Sequence, residues 1–142
     1  MRIQQFQISI VENTRKQLPR NLREFQARAS FSLVKIFYAE PKIHYEVWVR
    51  GENRLIEIGL HFEADKETNN ALRNYFSTRT IELRAELGPR IEVEEWTNSW
   101  SRVHEVAPYT ALDQKTADEI AAKLARMIAT LEPRLKQWRK RR

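Results

Sequence analysis

The sequence predicts an α+β domain, an antiparallel sheet of four to five strands in two hairpins with helices packed on one face. Three patterns predict it. Residues 43–63 alternate apolar and polar side chains on both arms of a Gly/Asn turn, and residues 91–106 do so around Thr97-Asn98-Ser99. The segments before, between and after these arms carry apolar residues at helical spacing. Hairpins separated by helices favour an antiparallel sheet with segregated helices. The expected order is α-β(β)β-α-β-β-α, a single domain over residues 1–142.

Ile3, Phe6 and Ile10 place a first amphipathic helix before Pro19. Asn21 is read as the cap of a second helical piece carrying Leu22, Phe25 and Ala29. Residues 31–38 continue the helical stripe through Leu33, Ile36 and Phe37. They are nonetheless rich in aromatic and branched side chains, and are read as a strand.

In the first clear hairpin, Ile43, Tyr45, Val47 and Val49 alternate with His44, Glu46, Trp48 and Arg50. Across the turn, Ile56, Ile58, Leu60 and Phe62 alternate with Glu57, Gly59, His61 and Glu63. One face is thus apolar, and the other is expected to be solvated. Asp65 caps the next helix, which carries Leu72, Phe76, Leu83 and Leu87 and stops at Gly88-Pro89. In the second hairpin a three-residue loop sets Trp96 against Trp100, Val93 against Val103, Glu94 against Arg102 and Glu92 against His104. Last comes a long helix with Ala117, Ile120, Leu124, Ile128 and Leu131 on one stripe, continued by Leu135 and Trp138. Pro133 should kink or interrupt it.

The charge is segregated. The net charge is +6, and residues 134–142 hold six basic side chains and no acid. Removing those six leaves 19 basic against 19 acidic residues, so the body is neutral. A basic end with an interleaved aromatic suits a nucleic acid or another polyanion. The residues concerned are Arg134, Lys136, Trp138, Arg139, Lys140, Arg141 and Arg142. The chain has no cysteine, which excludes disulfides and thiolate metal sites. With no signal-like N-terminus and no long apolar run, the expected location is the cytoplasm, without a membrane partner.

The main polar constellation is a doubled His-x-Glu. If the first hairpin has a four-residue loop, His44 lies opposite His61, and with Glu46 and Glu63 the pair offers ligands for zinc or another divalent ion. Against this stands an ordinary solvated sheet face. No P-loop, GxGxxG, GxSxG or HExxH is present, so neither a cofactor nor a catalytic residue is expected. Trp48 falls on the polar side of its strand and is a candidate partner anchor, whereas Trp96 and Trp100 are read as a hairpin staple.

Ile81-Glu82-Leu83-Arg84-Ala85-Glu86-Leu87-Gly88, then Ile91, Trp96 and Ser101-Arg102-Val103, resemble an uncharacterised prokaryotic domain family sometimes appended to restriction-nuclease-like proteins. The likeness covers about residues 43–106. It implies a DNA-related context and supplies no catalytic residues. With residues 31–38 as a strand, the element order is also similar to that of type III secretion chaperones, dimers that bind extended protein segments. The expected function is a non-catalytic binding module that associates with nucleic acid through its basic ends. The alternatives are a dimeric protein-binding module and a metal-dependent enzyme using the His/Glu face.

Overall fold

The computed structural model describes residues 1–142. Helix α1 (Ile3–Gln17) buries Phe6 and Ile10, and it ends before Pro19 as its spacing predicts. The second helix expected from Asn21 does not form. A single 3-10 turn (Arg20–Leu22) takes its place and leads into strand β1 (Gln26–Ser30). Side chains take the carbonyls that a helix would use: Arg23 Nε donates to Leu18 O at 2.8 Å, and Arg15 Nη1 donates to Arg23 O and Phe25 O. Strand β2 (Leu33–Phe37) then confirms the reading of residues 31–38.

Strands β3 (Ile43–Arg50) and β4 (Leu55–Phe62) form the expected hairpin, and helix α2 (Lys66–Ser77) comes next. The side chain of Asp65 accepts from Thr68 N at 3.0 Å, which caps α2. The predicted single helix to Gly88 is two helices, because α3 (Thr80–Leu87) starts after a break at Thr78 and Arg79. The hydroxyls there compete with the helical ladder. Thr78 donates to Tyr75 O and Thr80 donates to Ser77 O. Gly88 ends α3 at a φ of 111°, a conformation that suits glycine.

Strands β5 (Glu92–Glu95) and β6 (Ser101–Pro108) pair in the predicted register, with Glu92 against His104, Val93 against Val103 and Glu94 against Arg102. Helix α4 (Gln114–Lys140) runs through Pro133 without interruption. Pro133 leaves the Ala129 carbonyl without its helical donor, and beside it Arg134 Nη1 donates to Thr130 O at 2.7 Å.

The sheet is antiparallel and has six strands rather than four or five, in the order β1-β2-β3-β4-β6-β5. Its one non-sequential contact, β4 with β6, joins the two hairpins into one surface. Tyr45, Val47, Ile58, Leu60, Phe62 and Val103 on one face enter the same buried cluster as Phe6, Leu72, Phe76, Leu83, Ile120, Leu124 and Ile128 of the helices. Each fully buried side chain of this size contributes roughly 1.5–3 kcal/mol, which makes this face the main stabilising layer. No helix is long and apolar enough to cross a membrane.

Candidate metal centre

The β3–β4 loop has four residues, since Arg50 pairs with Leu55. Arg54 closes it at a φ of 52°, and Arg54 N donates to Gly51 O. That loop length sets the rest of the register and places His44 directly against His61. Glu46 and Glu63 lie on the same face, each two residues further along the chain from its histidine.

This polar face is not solvated, contrary to the expectation from alternation. His44 is fully buried, His61 is 3% exposed and Glu46 is 9% exposed. The cover comes from aromatic side chains on the face itself. Trp96, at the end of the β5–β6 hairpin, lies edge-on to His61 at 6.3 Å and to Trp48 at 6.5 Å. Arg102 stacks on Trp96, its guanidinium carbon 3.7 Å from the ring centroid. Trp96 therefore roofs the polar face and does not staple its hairpin to Trp100. Trp48 is half-buried, edge-on to Trp96.

The four groups close into a ring of alternating imidazoles and carboxylates. His44 Nε2 lies 3.0 Å from Glu46 Oε1, and His61 Nε2 lies 3.5 Å from Glu46 Oε2. Glu63 Oε2 lies 3.4 Å from His61 Nδ1 and 3.8 Å from His44 Nε2. The imidazole planes are stacked, 8° from parallel with centroids 5.5 Å apart. His44 Nδ1 is 2.8 Å from Pro41 O, a contact in which only the imidazole can donate. A neutral His44 therefore turns its Nε2 lone pair toward the Glu46 carboxylate. Two acceptors at 3.0 Å require a proton or a cation between them. Backbone-carbonyl anchoring of the far nitrogen is also how metal-ligating histidines are oriented. His61 Nδ1 is buried and makes no hydrogen bond.

One donor atom from each of the four side chains can be chosen so that all lie within 4.8 Å of one another. A tetrahedral zinc shell with bonds of about 2.0–2.1 Å has edges of roughly 3.3–3.4 Å, and because the two imidazole planes are nearly parallel, the rings must turn along with the glutamates to aim both lone pairs at one ion. The charge also balances. Two carboxylates against two neutral imidazoles are offset by one divalent ion, or by protons on both rings. Burial tends to raise the Glu63 carboxyl, but His61, with the charges of His44 and Lys35, outweighs it and holds the group below its ordinary value.

Beside the ring lies a second polar group that reasoning from hairpins alone could not assemble. Glu57 takes Arg102 Nη1 at 2.7 Å and Arg50 Nη1 at 3.0 Å, while Glu94 takes Arg102 Nη2 at 2.9 Å. His104 Nε2 lies 3.4 Å from Glu94. Burial and the Arg102 charge hold the His104 imidazole below its usual value. Arg102 already supplies the cation for these carboxylates, so Glu92, Glu94 and His104 are a weaker ligand set than the ring.

The basic end is divided. Arg134 pairs with Glu86 at 3.0 Å and Glu82 at 3.7 Å, and Arg139 reaches Glu132 at 4.0 Å. Trp138 is half-buried with Arg142 over its ring, whereas Lys136, Lys140, Arg141 and Arg142 are exposed. No family model, curated protein or solved structure matches the chain.

Proposed function

We propose that this chain is a divalent-cation-binding protein whose His44, Glu46, His61 and Glu63 ring takes one transition-metal ion of the zinc class. The convergence of these four donors under Trp96, with His44 anchored through Pro41 O, carries the reading. Two nitrogens and two oxygens suit zinc and its neighbours better than magnesium or calcium. All four donors come from the protein and are largely buried. That supports an ion that stabilises the sheet over a catalytic one, which keeps a coordination position for water. The test is native mass spectrometry and calorimetry of the metal-stripped chain with zinc, cobalt and manganese. One ion per chain should bind, cobalt should show tetrahedral absorption, and His61→Ala should abolish both while the chain stays folded by circular dichroism. At saturating metal the wild type should melt several degrees higher. An absence of binding by any of the three ions would leave the ring as a proton-shared polar network.

A second reading, nucleic-acid association, is favoured by Lys136, Lys140, Arg141 and Arg142, which stand exposed outside the ion pairs that occupy Arg134 and Arg139. Deleting everything after Pro133 would strip Leu135 from the core, so charge reversal is the cleaner test. Substituting these four by glutamate should abolish DNA and RNA binding and flatten its salt dependence. Binding that survives the substitutions, or none by the wild type at low salt, removes the tail from the function.

A further inference from the structure

Strand β1 is an open sheet edge. It pairs only with β2, and all five of its residues are exposed. Ala27 and Ala29 pair with the buried Ile36 and Val34, so they share the face on which the helices pack. Helix α1 does not cover them. Between α1 and β1 runs a groove of about 980 Å³, with Ile3, Ile8 and Val11 on one wall, Ala27 and Ala29 on the floor, and Phe31 at one end.

Phe31 is the odd residue in this surface. Ser30 pairs with Leu33, so Phe31 and Ser32 form a two-residue loop. Phe31 takes a φ of 52° in its first position, a place normally given to glycine. The buried Gln7 holds that conformation, donating from Nε2 to Phe31 O at 2.7 Å. The ring is 94% exposed. An apolar knob held at a strained position beside an apolar groove is a self-complementary pair of features. An isologous two-fold interface requires this, because the same patch must supply both knob and hole.

We propose that β1 is the interface of a homodimer, in which the two β1 edges pair antiparallel across a two-fold axis and each Phe31 enters the groove of the other copy. Charge and side-chain size favour one register. An axis at Arg28 would set two guanidinium groups directly opposite each other, which is destabilising. An axis at Ala29 instead sets Arg28 opposite Ser30 of the second copy and Ala27 opposite its Phe31. The small floor residue then receives the large ring, and Ile8, 58% exposed in one subunit, is covered. This inference is independent of the metal reading.

The chain has no cysteine, so introduced thiols report on the interface without background. Sedimentation equilibrium of the full chain at tens of micromolar should give a dimer. Ala29→Cys should form a disulfide-linked dimer on mild oxidation, and Arg50→Cys, on another strand, should not. Phe31→Gly relieves the positive φ while removing the knob. It should raise the dimer dissociation constant by at least about tenfold without lowering subunit stability. A monomeric wild type, an Ala29→Cys chain that does not cross-link, or a Phe31→Gly chain that dimerises undiminished would each overturn the proposal. A monomer that instead takes up an extended peptide would assign the edge to a different partner.

Discussion

Gly59 and His104 sit so close across β4 and β6 that a Cβ at position 59 would lie 2.8 Å from the Cβ of His104. It would also lie 2.9 Å from the carbonyl oxygen of Val103, so a flexible side chain cannot simply move aside. The glycine lets β4 and β6 meet with Glu46 and His104 on either side of position 59. Gly59→Ala should therefore cost about 1–3 kcal/mol, as overpacking of a close backbone approach does. Urea denaturation would check this. An unchanged midpoint would mean that the strands part without penalty.

The ion pair that joins the two hairpins should be expensive to break on one side only. The side chains of Glu57 and Arg102 are 6% and 8% exposed. Glu57→Ala leaves the Arg102 charge with only the partly exposed Glu94, and the expected loss is about 3–5 kcal/mol. Combining it with Arg102→Met should recover most of that loss, because no buried charge then lacks a partner. A double-mutant cycle in urea supplies the comparison, and full additivity would show that the pair is not coupled.

Trp96 and Trp100 are exposed to nearly the same extent, 37% and 39%, yet they should not be equivalent. Trp96 touches His61 and Trp48 and carries Arg102 on its face. Truncating it to alanine should cost roughly 1.5–3 kcal/mol through the lost aromatic and cation–π contacts. Trp100→Ala should fall within about 0.5 kcal/mol of the wild type, as surface substitutions usually do. Equal losses at both positions would return Trp96 to the role of a hairpin staple.

The His44–His61 and Glu94–Arg102 pairings are legible in the sequence because each depends on one short loop, whose length sets the register locally. Burial of the ring is not legible. It depends on β4 meeting β6, strands separated in sequence by two helices, which brings Trp96 over a face that alternation alone marks as solvated. The role of Glu57 is hidden for the same reason, since its main partner, Arg102, lies on the distant strand. Strand β1 reads as helix because alanines at positions 27 and 29 favour helices, although Phe25, Ala27 and Ala29 also alternate. A continuous helix through Pro133 could not be foreseen, because α4 tolerates the one backbone donor the proline removes while Leu131 and Leu135 stay buried on either side of it.

Glu132 gives the protein a stability profile with a definite sign. It is 2% exposed on α4, and Tyr45 Oη donates to its Oε1 at 3.1 Å. Burial raises its carboxyl above the ordinary value of 4.5, although the Tyr45 hydrogen bond and the charges of Arg139 and Lys136 pull the other way. The folded state therefore holds this proton more tightly than the unfolded chain does. The contribution is fully present below the unfolded value and is lost as pH rises through the folded one. Glu132→Gln cannot ionise, so its stability relative to the wild type should climb as pH is raised from about 4.5 toward neutrality. Urea unfolding of both proteins at half-unit pH steps would measure the difference. A gap that stays flat would mean that the Tyr45 hydrogen bond, Arg139 and Lys136 cancel burial, and one that narrows with rising pH would mean that they outweigh it and that Glu132 is a stabilising buried anion.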